Sequence, residues 1–255
     1  MYSYAAESYA QIKQDVAAGK QVLFLGTPCQ NAAVYNLVGD HPNLTLVNLI
    51  CHGVPSLQML REHLKTEHIT EIHNIQFRTN NNLYEFVCND YNAFKKISPD
   101  VYITLFLEGI TYRPSCYACP YAKSQRTGDI TIGDFWKLGR KIPFEGGDLT
   151  NGCSVIIVNT GKGQALIENS KDKLHLFKRT YEEAIAGNGQ LRHAVCYGRC
   201  ALLFNKLYPR LSFKMAGCVS SAPILLISWV KFLIKKYGSE RVQRYCRKLY
   251  SFFNN

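Results

Sequence analysis

Residues 113–136 read RPSCYACPYAKSQRTGDITIGDFW. This stretch carries the only Cys-x-x-Cys pair in the chain, Cys116 and Cys119, followed at once by Pro120. A basic segment with Lys123 and Arg126 comes next. A strand-like run from Asp129 to Gly133 then ends in Asp134, Phe135 and Trp136. Two thiols two residues apart can grip one metal centre from a single turn, but they fill only half of four coordination positions. Any further ligands must come from elsewhere in the chain.

Upstream, two segments repeat one pattern. Val22 to Leu25 is a continuous apolar run, as expected of a strand buried on both faces. It breaks at Gly26, Thr27, Pro28 and Cys29, and a helix is expected from Gln30 to Val38, stopped by Gly39. Leu44 to Ile50 is a second apolar strand, ending in Cys51, His52, Gly53, Val54 and Pro55. Ser56 then caps a helix to about Glu67. Strand, turn, helix repeated in this way argues for an α/β fold with a mainly parallel sheet. In such sheets ligands bind beyond the C-terminal ends of the strands. Cys29 and Cys51 both stand there and are expected to share a site. The turn at Gly26 and Thr27 lies beside a helix N-terminus, which suits a thiolate, an anionic cluster or a phosphate.

The rest of the chain fills in the architecture. A helix is expected over 5–18, and a small antiparallel insertion over 71–97 with its turn at Asn80 to Asn82. Another helix should run from Ser98 to about Glu108, and a buried strand over 153–158. A helix at 162–170, a strand at 174–177 and a helix at 180–186 follow. A helical C-terminal tail closes the chain, with helices at 222–237 and after Ser239.

Composition narrows the function classes. No run reaches the roughly 18 apolar residues of a spanning helix, and residues 1–20 lack the basic-then-apolar pattern of a secretory signal. A cytoplasmic chain is therefore expected, and for ten cysteines in that setting metal or redox chemistry gains over disulfides. The net charge is +11, but it is concentrated. Between Arg210 and Asn255 stand Arg210, Lys214, Lys231, Lys235, Lys236, Arg241, Arg244, Arg247 and Lys248 against Glu240 alone. The body is only mildly basic, which argues against a nucleic-acid binder. The tail over 222–253 suits surface docking on an anionic membrane or on a protein partner, or a solvated face.

Cys29, Cys51, Cys116 and Cys119 each sit in a loop beside Gly or Pro. Four thiolates suit a tetrahedral zinc or a four-iron cluster, and the residues alone also leave room for no metal. Cys88, Cys153, Cys218 and Cys246 lie in apolar patterns and read as core, and Cys196 with Cys200 as inert. His52 follows a proposed ligand and suits tuning it or a structural role. Asp129 and Asp134 frame a strand and suit hydrogen bonding to a bound cofactor or turn capping. Arg113, Lys123 and Arg126 suit neutralising cluster or phosphate charge, or an ordinary surface.

Five segments in order, VLFLGTPCQ (22–30), LICHGVPS (49–56), RPSCYACPYAKSQRTGDITIGDFW (113–136), CSVIIVNTGKG (153–163) and more weakly GNGQL (187–191), resemble the beta subunit of coenzyme F420 hydrogenase and dehydrogenase. The resemblance covers about residues 9–195. It implies that Cys29, Cys51, Cys116 and Cys119 are ligands of a [4Fe–4S] cluster. It also implies a nearby flavin, usually FAD, which exchanges hydride with coenzyme F420 or another two-electron carrier. It assigns 1–195 to an iron–sulfur domain of this type and leaves 196–255 as a basic helical tail. An electron-supplying partner redox subunit or ferredoxin follows, because the family's N-terminal ferredoxin-like module has no counterpart here. Two other readings stand beside the oxidoreductase subunit: a non-catalytic accessory chain retaining the fold, and a zinc-stabilised binding protein.

Overall fold

The apolar runs at Val22–Gly26 (β1) and Leu44–Leu49 (β2) pair in parallel, with Val22 opposite Leu44 and Gly26 opposite Asn48. Ile130–Asp134 (β6) extends β2 in parallel, and Ser154–Val158 (β7) closes the sheet antiparallel to β6. The order is β1-β2-β6-β7. The computed structural model describes residues 6–78, 86–89, 91–92, 100–147, 149 and 152–239. The expected tail helix after Ser239 and the turn at Asn80 to Asn82 lie outside them.

The chain divides into two compact units, residues 1–54 with 113–196, and residues 55–112 with 197–255. The first holds the four-stranded sheet. Ala6–Ala17 (α1) and Pro28–Val38 (α2) cover one sheet face, where Ile12, Val16 and Val34 pack on Leu44 and Leu46. Farther along the sheet, Val155 packs with Ala184 and Leu191. Gly161–Ser170 (α6) and Tyr181–Gly187 (α7) follow β7. β1 is not buried on both faces as its composition implies. Leu23 and Leu25 are about half exposed, because β1 is an edge strand and α1 and α2 lie on the face of Phe24. The expected strand at 174–177 is also absent. A 3-10 turn covers Lys171–Lys173, and Phe177 packs edge-on against Phe144 with ring centroids 5.2 Å apart.

The second unit is built on Leu57–Thr66 (α3), capped by Ser56, whose hydroxyl accepts from the Met59 amide. The antiparallel insertion is a small sheet of Ile75–Gln76 (β3), Val87–Cys88 (β4) and Tyr91–Asn92 (β5). Val101–Leu107 (α4) starts where Asp100 accepts from the Ile103 amide. The other carboxylate oxygen of Asp100 lies 2.9 Å from His63 Nε2, with both side chains buried. Three helices complete the unit, Arg199–Leu207 (α8), Phe213–Ser220 (α9) and Ala222–Tyr237 (α10). The sequence reading missed α8 and α9. Their short apolar positions, Phe204, Phe213 and Ala216, enter one core with Met59, Phe86, Tyr102 and Leu105.

Candidate functional site

β1 and β2 run side by side, so the loops after Gly26 and Leu49 emerge at the same sheet edge. Thr27 opens α2, and its backbone amide donates to Gln30 Oε1 at 2.9 Å, which fixes the turn. Cys29 therefore lies in the first turn of an eleven-residue helix, beside its free backbone N–H groups. The Thr27 hydroxyl stands 3.2 Å from Cys29 Sγ. Gly26 is required there, because a Cβ would meet the Phe24 ring at 2.8 Å.

Cys51 follows β2. The next-but-one residue, Gly53, has φ near +142°, a conformation open to glycine, and its backbone hydrogen-bonds to Cys51. The Arg113 amide donates to Val54 O, and Pro114–Tyr117 (α5) then turns so that the Cys116 amide donates to Arg113 O. Cys29, Cys51, Cys116 and Cys119 all line one pocket at this edge, with His52, Tyr121, Arg126 and Gln190. Burial pushes the Cys51 thiol up to about 11, and the nearby sulfurs of Cys116, Cys29 and Cys119 push it the same way. Four ionised thiols at this spot require positive charge.

Arg126 supplies one positive charge. Its guanidinium donates to Tyr121 O at 2.9 Å, Lys123 O at 3.2 Å, Asn48 Oδ1 at 3.1 Å and Leu49 O at 3.2 Å. Asn48 Oδ1 also accepts from the Thr131 hydroxyl at 2.8 Å. One cation thus stitches the loop after Cys119 to the end of β2. Burial presses its pKa below the usual guanidinium value, opposed by Tyr181, Cys119 and Cys51. Lys123 contributes its carbonyl, and its side chain is exposed.

His52 is linked to Gln190, whose Nε2 lies 2.9 Å from His52 Nδ1. This contact fixes the orientation of the ring, with donor and acceptor set by the His52 tautomer. Burial lowers the His52 pKa, with Asp134 acting in the opposite direction. Gln190 reaches this place because Gly187 abuts the Trp136 carbonyl and the buried Asn188 amide donates to Asp134 O. Gln190 Oε1 is buried and has no hydrogen-bond partner. Sequence reasoning did not single out Gln190, Asn48 or Thr131. The segment GNGQL was the only signal for the first of them.

Asp129 is not brought to the cysteines. It precedes β6 and sits at the opposite sheet edge, accepting from the Leu46 amide at 2.8 Å and from the Thr160 hydroxyl. There it lines a larger cavity of about 570 Å³ with Lys162. That cavity is poor in free polar groups. Lys162 Nζ already reaches Asp40 at 2.7 Å, Leu44 O at 3.0 Å and His41 O at 3.3 Å. Asp134, at the C-terminal end of β6, is the one of the pair that acts on the cysteine edge.

Among the described residues no group of three or more His, Cys, Asp or Glu is placed to hold a metal ion. Among the described residues no carboxylate lines the pocket.

Fold and site together define an α/β domain that presents thiols from three separate loops at the C-terminal edge of its parallel strands. The chain belongs to the family described as the C terminus of the beta subunit of coenzyme F420 hydrogenase/dehydrogenase, whose family model matches residues 19–183. That is a family of redox subunits. No curated protein matches the chain. Among solved structures, a chain from the xenon-derivatised F420-reducing [NiFe] hydrogenase complex of Methanosarcina barkeri aligns at 17% identity with a TM-score of 0.43. The alignment covers 72% of this chain and 60% of that one.

Proposed function

We propose that this chain is the cluster-holding part of an oxidoreductase subunit, with Cys29, Cys51, Cys116 and Cys119 as ligands of a [4Fe–4S] cluster. The observation that carries the reading is the convergence of four thiols, from the ends of two parallel strands and from one Cys-x-x-Cys loop, on a single pocket without carboxylates. A bound cluster supplies one-electron storage at a potential set by its charge surroundings. The chain's own residues do the rest. The N-terminus of α2 and the Gly53 backbone stabilise negative sulfur at Cys29 and Cys51. Thr27 is placed to donate to Cys29. Arg126 holds the loop after Cys119 in register with β2 and adds a fixed positive charge beside the sulfurs. His52, oriented by Gln190, lies in the pocket with Cys51.

The finer part of the reading rests on family membership. It comprises a flavin such as FAD beside the cluster, coenzyme F420 or another two-electron carrier as its exchange partner, and a partner redox subunit or ferredoxin. Arg113, three residues before Cys116, and Asp134, which acts electrostatically on His52, are the candidates for contacting such a neighbour.

Anaerobic purification followed by iron, sulfide, zinc and flavin analysis tests the proposal. Equal amounts of iron and sulfide with broad visible absorbance are expected, and flavin bands support the finer part. Iron without flavin favours the accessory-subunit reading, and zinc alone removes the cluster. Cys116→Ser should abolish most iron loading, whereas Cys218→Ser, at an exposed position on α9, should leave it intact. Equal loading of the two variants would overturn the ligand assignment.

A further inference from the structure

α10 has an unusual surface for a helix of a folded unit. Leu226, Ile227 and Val230 recur at the i, i+1, i+4 spacing of one helix face and are 61%, 55% and 45% exposed. Tyr237, two turns beyond Val230 on the same face, is 66% exposed. One flank of the helix start is anchored, with Ile224 packed on the core of Phe204, Phe213 and Tyr102. The exposed face is therefore additional to what the fold needs for burial. Large aliphatic faces of this kind mark an interaction surface.

The charge around it identifies the partner. From Tyr197 to Ser239 there is no Asp or Glu, while Arg199, Lys206, Arg210, Lys214, Lys231, Lys235 and Lys236 are basic. Arg199, Lys206, Arg210, Lys214 and Lys231 are exposed, and of these Lys214 reaches Glu67 at 3.5 Å. Lys231 adjoins the apolar stripe on one side, and Trp229 (39% exposed) on the other. An aliphatic stripe bordered by lysine and tryptophan on a helix without acids is the pattern of a helix lying in a lipid interface. A second copy of the chain would set like charges against each other. α10 cannot cross a bilayer, because its sixteen residues rise about 24 Å against a hydrocarbon core of about 30 Å. Among the described residues no single helix is long and apolar enough to do so, and α9 with α10 reaches that length only as a pair bent by 91°.

We propose that α10 is a peripheral docking helix for an anionic lipid surface, with Leu226, Ile227 and Val230 entering the interface and the surrounding basic side chains facing lipid phosphate. The proposal stands apart from the cluster reading and holds whether or not iron is bound.

The test is flotation of the full chain with vesicles of phosphatidylcholine alone or of three parts phosphatidylcholine to one part phosphatidylglycerol. At low salt at least tenfold more protein should float with the anionic vesicles, and high salt should collapse the difference. The double variant Leu226→Ser, Val230→Ser should lose about tenfold in binding, and Lys231→Glu several-fold. Circular dichroism of both variants should match the parent, since the altered side chains are exposed. Equal partitioning to both vesicle types, or parental binding by the double variant, would overturn the proposal. So would absence of vesicle binding. In that case a dimer lost in the double variant would assign the face to a second copy.

Discussion

The Arg126 guanidinium lies 3.1 Å from Asn48 Oδ1, so the cation that follows the Cys116–Cys119 loop is anchored on the strand that leads to Cys51. Asn48 is fully buried and its oxygen is shared with the Thr131 hydroxyl of the neighbouring strand. Arg126 is therefore one of the links that join the two halves of the thiol pocket, beside the Arg113 amide on Val54 O.

Arg126→Gln removes the charge and most of the fork of donors. Hydrogen bonds to a charged group contribute about 1.5–3 kcal/mol each and are not additive, so a loss of about 2–4 kcal/mol is expected. Chemical denaturation of the iron-free protein measures it. Iron retention should fall in the same variant, and Arg126→Lys should recover only part of it, because a point charge cannot reach four acceptors at once. Unchanged stability and iron content in Arg126→Gln would show that the loop is held by something else.

Thr27→Val keeps the shape of the turn and deletes the hydroxyl beside Cys29. The hydroxyl donates to Gln30 Oε1 at 3.0 Å or to the sulfur, and an ionised, metal-bound sulfur draws it to the second. A donor on a ligand sulfur stabilises the more negative, reduced form. The variant should therefore have a lower reduction potential than the parent, read by redox titration with electron paramagnetic resonance, and Thr27→Ser should restore it. A potential equal to that of the parent would remove Thr27 from the site.

Cys51 should be the slowest of the four pocket thiols to react with iodoacetamide in the iron-free folded protein near neutral pH. Its thiol is pushed up to about 11, mainly by burial, so the reactive thiolate is scarce until the solution approaches that pH. Peptide mapping by mass spectrometry gives the order of labelling. Labelling of Cys51 should rise steadily with pH toward about 11 in the folded state, and unfolding in denaturant should remove its lag.

Glu183 couples the stability of the first unit to acid. Its carboxylate accepts from Arg179 Nε at 2.7 Å and Nη2 at 2.8 Å, and these bonds hold its pKa below the usual carboxylate value. Arg179 also donates to Ile142 O and Pro143 O, which fastens the segment after Trp136. A depressed folded pKa means that the stabilisation is complete above the unfolded value, about 4.3, and is lost as pH falls through the folded one. Between about pH 7 and about pH 3 the thermal midpoint should fall more steeply in the parent than in Glu183→Gln. Parallel curves would contradict the coupling.

Much of this was legible along the chain. A buried apolar run followed by a turn and a helix is a local pattern, so Cys29 and Cys51 could be placed at strand ends without a structure. The direction of β6 was nearly legible as well. A five-residue strand spans about 17 Å, so of Asp129 and Asp134 only the C-terminal one can reach the cysteine edge. The open face of β1 was not legible, because composition does not distinguish an edge strand from a central one when the covering elements lie far along the chain.

The sequence alone determined the donor chemistry: four thiols in loops beside glycine or proline, and a basic end of the chain with Glu240 as its single acid after Arg210. Only the tertiary structure decided which of these groups meet. Gln190 stands beside His52, and Arg126 beside Asn48, through contacts that span 138 and 78 positions. No local periodicity encodes such contacts. They follow from the parallel register of β1, β2 and β6 and from the close approach of Gly187 to Trp136, which bring distant loops to one edge of the sheet.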